Sequence, residues 1–317
     1  MRARVYKSAK KIFDCKIEET GEMVEATSMG KLLKKGIVVG DYVTLTFEES
    51  VNEYQIVKVE ERVSEIFRIL VRENKKKVTA ANCDLLVILM SVSKPVFKRG
   101  LVDRFLVRAS QWEVKPIVVF NKMDQFDEEE FDIVFEEKRL SKLGVECYEM
   151  SAVLGEEYQV KYLDKGIKDL KEYLADRTAI FLGQSGVGKS KTISNLSGGT
   201  VELKTKKVGK VGKGSHTTTW SEIIDLPLFS LIDSPGIRSF SLEDINPKDL
   251  IMYFPDIEEM GVQCKFKDCS HAENVKGCVF YNGSLSSEDQ QIYLSRIESF
   301  RRIHEEISQT PEWNKGL

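Results

Sequence analysis

Gly183-Gln184-Ser185-Gly186-Val187-Gly188-Lys189-Ser190 carries the spacing Gly-x-x-x-x-Gly-Lys-Ser, and the fold is read outward from it. Such a loop turns its backbone N–H groups inward around phosphate oxygens, and a Cβ at Gly183 or Gly188 would obstruct that approach. Lys189 then reaches the β- and γ-phosphates of a nucleotide, and Ser190 offers a hydroxyl to Mg²⁺. The preceding run Thr178-Ala179-Ile180-Phe181-Leu182 is apolar and β-prone, as the strand feeding such a loop must be. A helix starting near Gly188 and running on through Lys191 points its positive end at the phosphates. A chance glycine-rich turn would not place strand, loop and helix signals in that order.

Upstream stands Asn121-Lys122-Met123-Asp124, after the apolar run Pro116-Ile117-Val118-Val119-Phe120. The Asp124 carboxylate can accept hydrogen bonds from the N1–H and exocyclic amino group of guanine, whereas adenine offers no such pair of donors. Asn121 and the stem of Lys122 would brace the loop and cover the base plane. A helix cap after a strand is the plainer reading of Asn121 and Asp124 taken alone. Ser151-Ala152, after Val145-Glu146-Cys147-Tyr148-Glu149-Met150, resembles the backbone element that completes a guanine pocket. In an ordinary Ras-like GTPase the base-reading motif follows the phosphate loop. Here it precedes it, so the chain looks like a circularly permuted GTPase.

Between the phosphate loop and Asp233-Ser234-Pro235-Gly236 lies Gly212-Lys213-Gly214-Ser215-His216-Thr217-Thr218-Thr219, polar and glycine-rich as a mobile switch segment should be. One threonine should reach Mg²⁺. The resemblance favours Thr218, while the residues alone do not separate it from Thr217 or Thr219. Asp233 ends the run Leu228-Phe229-Ser230-Leu231-Ile232 at a strand tip suited to the Mg²⁺ shell, and Gly236 offers an N–H to the γ-phosphate. Where Ras-like enzymes carry a glutamine that orients the attacking water, this chain has Ile237, which has no polar group. His216 is the candidate replacement; a solvated or phosphate-steering histidine is the other reading. Lys189 and His216 are thus the candidate catalytic residues.

The chain has 317 residues, 42% hydrophobic and 31% charged, with a net charge of −3, so bulk charge does not direct it to nucleic acid and local patches must. No apolar run approaches the roughly 18 residues of a membrane span, and the first residues lack the apolar stretch of a secretory signal, which predicts a cytoplasmic protein with no membrane contact. Three units are expected. Residues 1–72 alternate in short β-prone stretches such as Tyr42–Phe47 and Tyr54–Val59, the pattern of a small OB-type barrel. Lys31, Lys34, Lys35 and Lys58 would give it a basic side, although a purely structural β-module fits as well. Residues 73–242 alternate apolar strands with amphipathic helices, including Leu85–Met90 and Leu101–Trp112, which predicts an α/β G domain. Lys75-Lys76-Lys77 reads as a solvated linker. Lys204, Lys206, Lys207, Lys210 and Lys213 overlap the switch region and form either an RNA-facing stretch or a solvated loop.

Residues 243–317 contain Cys264-x4-Cys269-x-His271-x6-Cys278, which gathers three of the six cysteines and one of the three histidines. Three thiolates and an imidazole make a closed tetrahedral zinc set with no open position for catalysis. Cys15, Cys83 and Cys147 lie in apolar stretches and read as core or surface singletons. Residues 290–307 show helical periodicity, with Tyr293, Ile297, Phe300 and Ile303 on one side and Arg296, Arg301, Arg302 and His304 around them.

Barrel, permuted G domain and Cys-x4-Cys-x-His-x6-Cys together resemble the ribosome small subunit-dependent GTPase A family of bacteria over nearly the whole chain. Ser215 stands where that family often has arginine, and Ile237 agrees with its missing glutamine. The resemblance implies a monomeric GTPase with one structural Zn²⁺ and with Mg²⁺ bound beside GTP. It also implies binding to the 30S subunit and 16S rRNA, a role in late 30S maturation, and hydrolysis stimulated by the ribosome. A permuted GTPase acting on the large subunit or on another RNA is the alternative.

Overall fold

Alternation at period two builds the N-terminal unit. In a computed structural model that describes residues 1–9, 11–28, 30, 32, 36–70, 75–199, 221–234, 241–267 and 269–309, five strands form there: β1 (Arg2–Ala9), β2 (Ile12–Ile17), β3 (Met23–Ser28), β4 (Tyr42–Glu48) and β5 (Glu53–Val59). They pair in the closed order β1-β2-β3-β5-β4-β1, antiparallel except for β3 with β5. Every second residue points inward, so Ala3, Val5, Phe13, Cys15, Val24, Ala26, Val43, Leu45 and Ile56 fill the barrel. This is the expected five-stranded barrel.

A two-stranded ribbon follows, β6 (Glu65–Leu70) and β7 (Lys75–Ala81). The lysines expected in a linker are therefore in a strand. Lys76 Nζ lies 4.3 Å from the centroid of the Phe67 ring and 2.9 Å from the Glu65 carboxylate, so its stem covers apolar surface while its charge is paired.

The central unit runs β8 (Leu85–Ser91), α1 (Arg99–Trp112), β9 (Lys115–Asn121), α2 (Ile133–Ser141), β10 (Glu146–Glu149), α3 (Ile167–Leu174), β11 (Thr178–Leu182), α4 (Lys189–Leu196), β12 (Glu222–Asp225) and β13 (Ser230–Asp233). Its strands lie in the order β10-β9-β8-β11-β13-β12, parallel except for β12. Both faces are buried, with Leu86, Ile88 and Met90 in one core and Leu85, Val87 and Leu89 in the other. That explains why the run 85–90 is apolar throughout rather than alternating. The chain starts beside the centre of the sheet, runs out to β10, returns to β11 and then fills the opposite side. Because β1 also pairs with β12, with Lys7 opposite Glu222, the barrel continues the sheet across what would be an open edge.

The C-terminal unit contains α5 (Pro255–Gly261) and α6 (Ser287–Ser308), packed with Leu242, Phe254, Phe280 and Val107 of α1. Arg296, expected at the border of an apolar stripe, is instead only 2% exposed. It meets Asp103 of α1, and its Nε lies 2.9 Å from Asp256; Asp103 in turn takes the buried Arg139 at 2.8 Å. Among the described residues no helix is long and apolar enough to cross a membrane.

Candidate nucleotide site and metal centre

The parallel strands β8, β9, β10, β11 and β13 all end on the same edge of the sheet, and β11 sits where the chain order reverses. Ligands of open α/β sheets bind in that crevice. Gly183 leaves β11 so close to β8 that a Cβ there would lie 2.2 Å from the Leu89 carbonyl oxygen. Gly188, with φ of +99°, caps α4, and a Cβ there would lie 2.5 Å from Asn121 Nδ2. Both positions exclude any side chain, as the loop reading requires. Val187 is buried beneath the loop, while Ser185 and Gly186 face outward. Lys189 Nζ donates to the carbonyls of Gly183 at 2.6 Å and Gln184 at 2.9 Å, which holds the ammonium across the mouth of the loop. Ser190 is half-buried in the first turn of α4, and Lys191 is exposed. Asp233 lies exposed at the tip of β13, beside β11.

The base-reading candidates converge on the same edge. Asn121 ends β9 and is 1% exposed. Its Nδ2 donates to the Val187 carbonyl at 2.8 Å, and its Oδ1 accepts the Ala152 N–H at 2.9 Å. One amide therefore ties together the phosphate loop, the base-reading loop and the Ser151-Ala152 segment. Lys122 adopts φ of +70°, and its ammonium donates to the Lys94 carbonyl. Met123 is buried. Asp124 is exposed, as a ligand-facing carboxylate must be, and Ser151 Oγ donates to its Oδ1 at 2.5 Å. The Ser151 hydroxyl also accepts the N–H groups of Val153 and Leu154, at 3.3 and 3.2 Å. His216, Thr218, Gly236 and Ile237 lie outside the described residues, as do Lys31, Lys34, Lys35 and the lysines of 204–213.

Two contributors were not anticipated from sequence. Lys94 supplies a carbonyl that anchors Lys122, and Glu149 sits fully buried at the end of β10. A carboxylate ending an apolar strand is visible in the sequence, but its partners are contributed by residues 158–163 through tertiary contact.

In the C-terminal unit the ligand atoms of Cys264, Cys269, His271 and Cys278 lie within 4.8 Å of one another. His271 Nδ1 is 3.6 Å from Cys264 Sγ and 3.8 Å from Cys278 Sγ. Burial pushes the Cys278 thiol up to about 12, with the neighbouring thiols adding to it, and burial also raises Cys264. Burial, with help from Arg301, holds His271 below the ordinary imidazole range, which favours the neutral form that ligates metals. Three thiols and a neutral imidazole at this spacing fit a metal ion, whose charge would draw the thiols into the thiolate form. The Val279 N–H already points at Cys264 Sγ at 3.5 Å. Cys15, Cys83 and Cys147 are buried away from this cluster, and burial raises all three thiols.

Residues 59–243 match the family model described as RsgA GTPase. A small ribosomal subunit biogenesis GTPase RsgA from Flavobacterium psychrophilum is 32% identical over 322 residues, covering 98% of this chain and 94% of that relative. The protein of the same name from Chlorobaculum parvum is 37% identical over 277 residues, covering 83% and 85%. Among solved structures, YjeQ from Thermotoga maritima superposes with a TM-score of 0.75 at 26% identity, covering 98% of this chain and 99% of that one. YloQ, described as a circularly permuted GTPase, gives 0.71 at 25% identity over 98% and 96%. With the phosphate loop following the base-reading loop in sequence and joined to it in space by Asn121, and with a matching family model across the same sheet, the chain belongs to the RsgA GTPase family and is a GTP hydrolase.

Proposed function

We propose that this GTPase binds the 30S ribosomal subunit and 16S rRNA in the cytoplasm, as a monomer, and assists late small-subunit maturation with hydrolysis stimulated by the ribosome. The observation that carries the nucleotide reading is the Asn121 amide, which holds the Asp124 loop and the phosphate loop as one site. The ribosomal partner is drawn from relatives that are named for small-subunit biogenesis and align with nearly the whole chain.

In this reading GTP lies along the edge of the sheet. Asp124 accepts from guanine, Asn121, Lys122 and Met123 frame the base, and Ser151-Ala152 close the pocket. Residues 183–191 surround the phosphates, with Lys189 compensating charge as the γ-phosphate departs, and the Gly236 N–H completes the cradle. Ser190, Thr218 and Asp233 would hold Mg²⁺, which would supply positive charge against the developing phosphate charge. His216 positions the attacking water. Cys264, Cys269, His271 and Cys278 hold one structural Zn²⁺. The units are 1–72 for rRNA contact, 73–242 for the nucleotide and 243–317 for the zinc module, the first boundary falling between β6 and β7 in sequence.

GTP hydrolysis measured alone, with purified 30S particles and with purified 50S particles tests the partner. Marked acceleration by 30S alone is expected. Equal acceleration by both particles, or by 50S alone, would overturn the small-subunit assignment.

A further inference from the structure

Resting on the guanine-nucleotide reading above, we infer that Glu149 is a positioning residue for base selectivity, holding Asp124 in register from two sides. Glu149 closes β10 and is 0% exposed. A carboxylate taken wholly out of water is costly unless its oxygens are satisfied by hydrogen bonds. Here four donors satisfy them. Oε1 accepts Tyr158 OH at 3.0 Å and the Lys161 N–H, and Oε2 accepts the N–H groups of Tyr162 at 3.1 Å and Leu163 at 2.9 Å. Its own N–H donates to the Lys165 carbonyl at 3.0 Å. The segment 158–165 is thus wrapped around one side chain.

That segment reaches the base-reading loop. The Tyr162 ring packs edge-on against Phe126 with centroids 4.7 Å apart, and its hydroxyl donates to Glu128 at 2.6 Å. Phe126 and Glu128 follow Asp124 by two and four positions, so the far side of the loop is fixed through Tyr162. The near side is fixed by Ser151, two residues beyond Glu149, whose hydroxyl holds Asp124 Oδ1. Both supports originate at the end of β10. Two hydrogen bonds to guanine require both carboxylate oxygens of Asp124 in one orientation, and a tilt of the loop sacrifices one of them before the other.

Inosine keeps the N1–H of guanosine and lacks the exocyclic amino group. The ratio of dissociation constants for inosine diphosphate and guanosine diphosphate therefore reports the second bond to Asp124. In the full-length protein, read by competition against a fluorescent guanine nucleotide, that ratio is expected to be about tenfold or more, the worth of one hydrogen bond to a charged group. Glu149→Gln preserves shape but places a donor where an acceptor stood, and it is expected to lower the ratio by at least about threefold. Tyr158→Phe removes a single hydrogen bond and should move the ratio the same way by less. A purely structural Glu149 would weaken both nucleotides equally and leave the ratio where it was. An unchanged ratio in the variants overturns the assignment, and if Glu149→Gln does not fold, Tyr158→Phe decides it by the same criterion. Equal wild-type affinity for guanosine and adenosine diphosphates would instead refute the guanine reading, and with it any role for Glu149 in selectivity.

Discussion

The Asn121 amide makes one bond with each end, to Val187 in the phosphate loop and to Ala152 in the pocket loop. Bracing was legible from the Asn-Lys-x-Asp spacing only in company with the phosphate loop, because the same residues after a strand also suit a helix cap. The identity of its partners was not, since Val187 lies 66 positions away. Lys122 shows the same division: its stem was expected beside the base, whereas the Lys94 carbonyl that takes its ammonium became visible only in three dimensions. At position 237 isoleucine has no water-orienting group, and His216 is the proposed replacement. His216→Ala is expected to slow single-turnover GTP hydrolysis by about a hundredfold, the lower end for a positioned acid–base group, with nucleotide affinity retained. An unaltered rate removes His216 from the chemistry.

Among elements, α6 was read correctly as a helix and incompletely as a surface. Periodicity assigned its apolar stripe but set Arg296 at the border, because helical phase does not reveal that α1 brings Asp103 against it. The cluster of Asp103, Arg139, Arg296 and Asp256 fastens the C-terminal unit to the G domain. Arg296→Ala leaves Asp103 with one fewer counter-charge in a buried site and should cost about 3–5 kcal/mol in the stability of that contact, read as lost hydrogen-exchange protection in α6. Protection within error of wild type would contradict this. Burial alone would raise the Asp103 carboxyl, but Arg296 and Arg139 outweigh it and hold it below the ordinary carboxylate range. The stabilisation is therefore complete above the unfolded value of about 3.9 and is lost as pH falls through the lower folded value. Lys75-Lys76-Lys77 are exposed, as a solvated segment would be, but they lie in β7 rather than in a linker, and there the Lys76 side chain crosses the Phe67 ring.

Across the whole molecule, β1 extends the G-domain sheet at β12, and Tyr6 and Lys16 of the barrel hold Asp225 at 2.9 and 2.7 Å. β12 follows residues 200–220, which contain the switch candidates, so the barrel is bonded to the strand that leaves them. The C-terminal unit docks on α1, with Leu242, Phe254 and Val107 in one core distinct from the two cores of the sheet. Removing bound metal with a chelator should therefore abolish exchange protection around residues 255–281 while guanosine diphosphate affinity persists. Protection that survives verified metal loss would show the four ligands to be a packed cluster only. The sequence by itself determined the motifs, their inverted order, the barrel and the candidate Cys₃His cluster, because glycine spacing, period-two alternation and clustered cysteines are local and act through backbone geometry. Only the tertiary structure decided that Asn121 joins the two loops, that Glu149 gathers the segment 158–163, and that Arg296 faces inward. Those roles depend on which distant strand ends and helix faces meet, and no local pattern encodes the partner of a buried polar group.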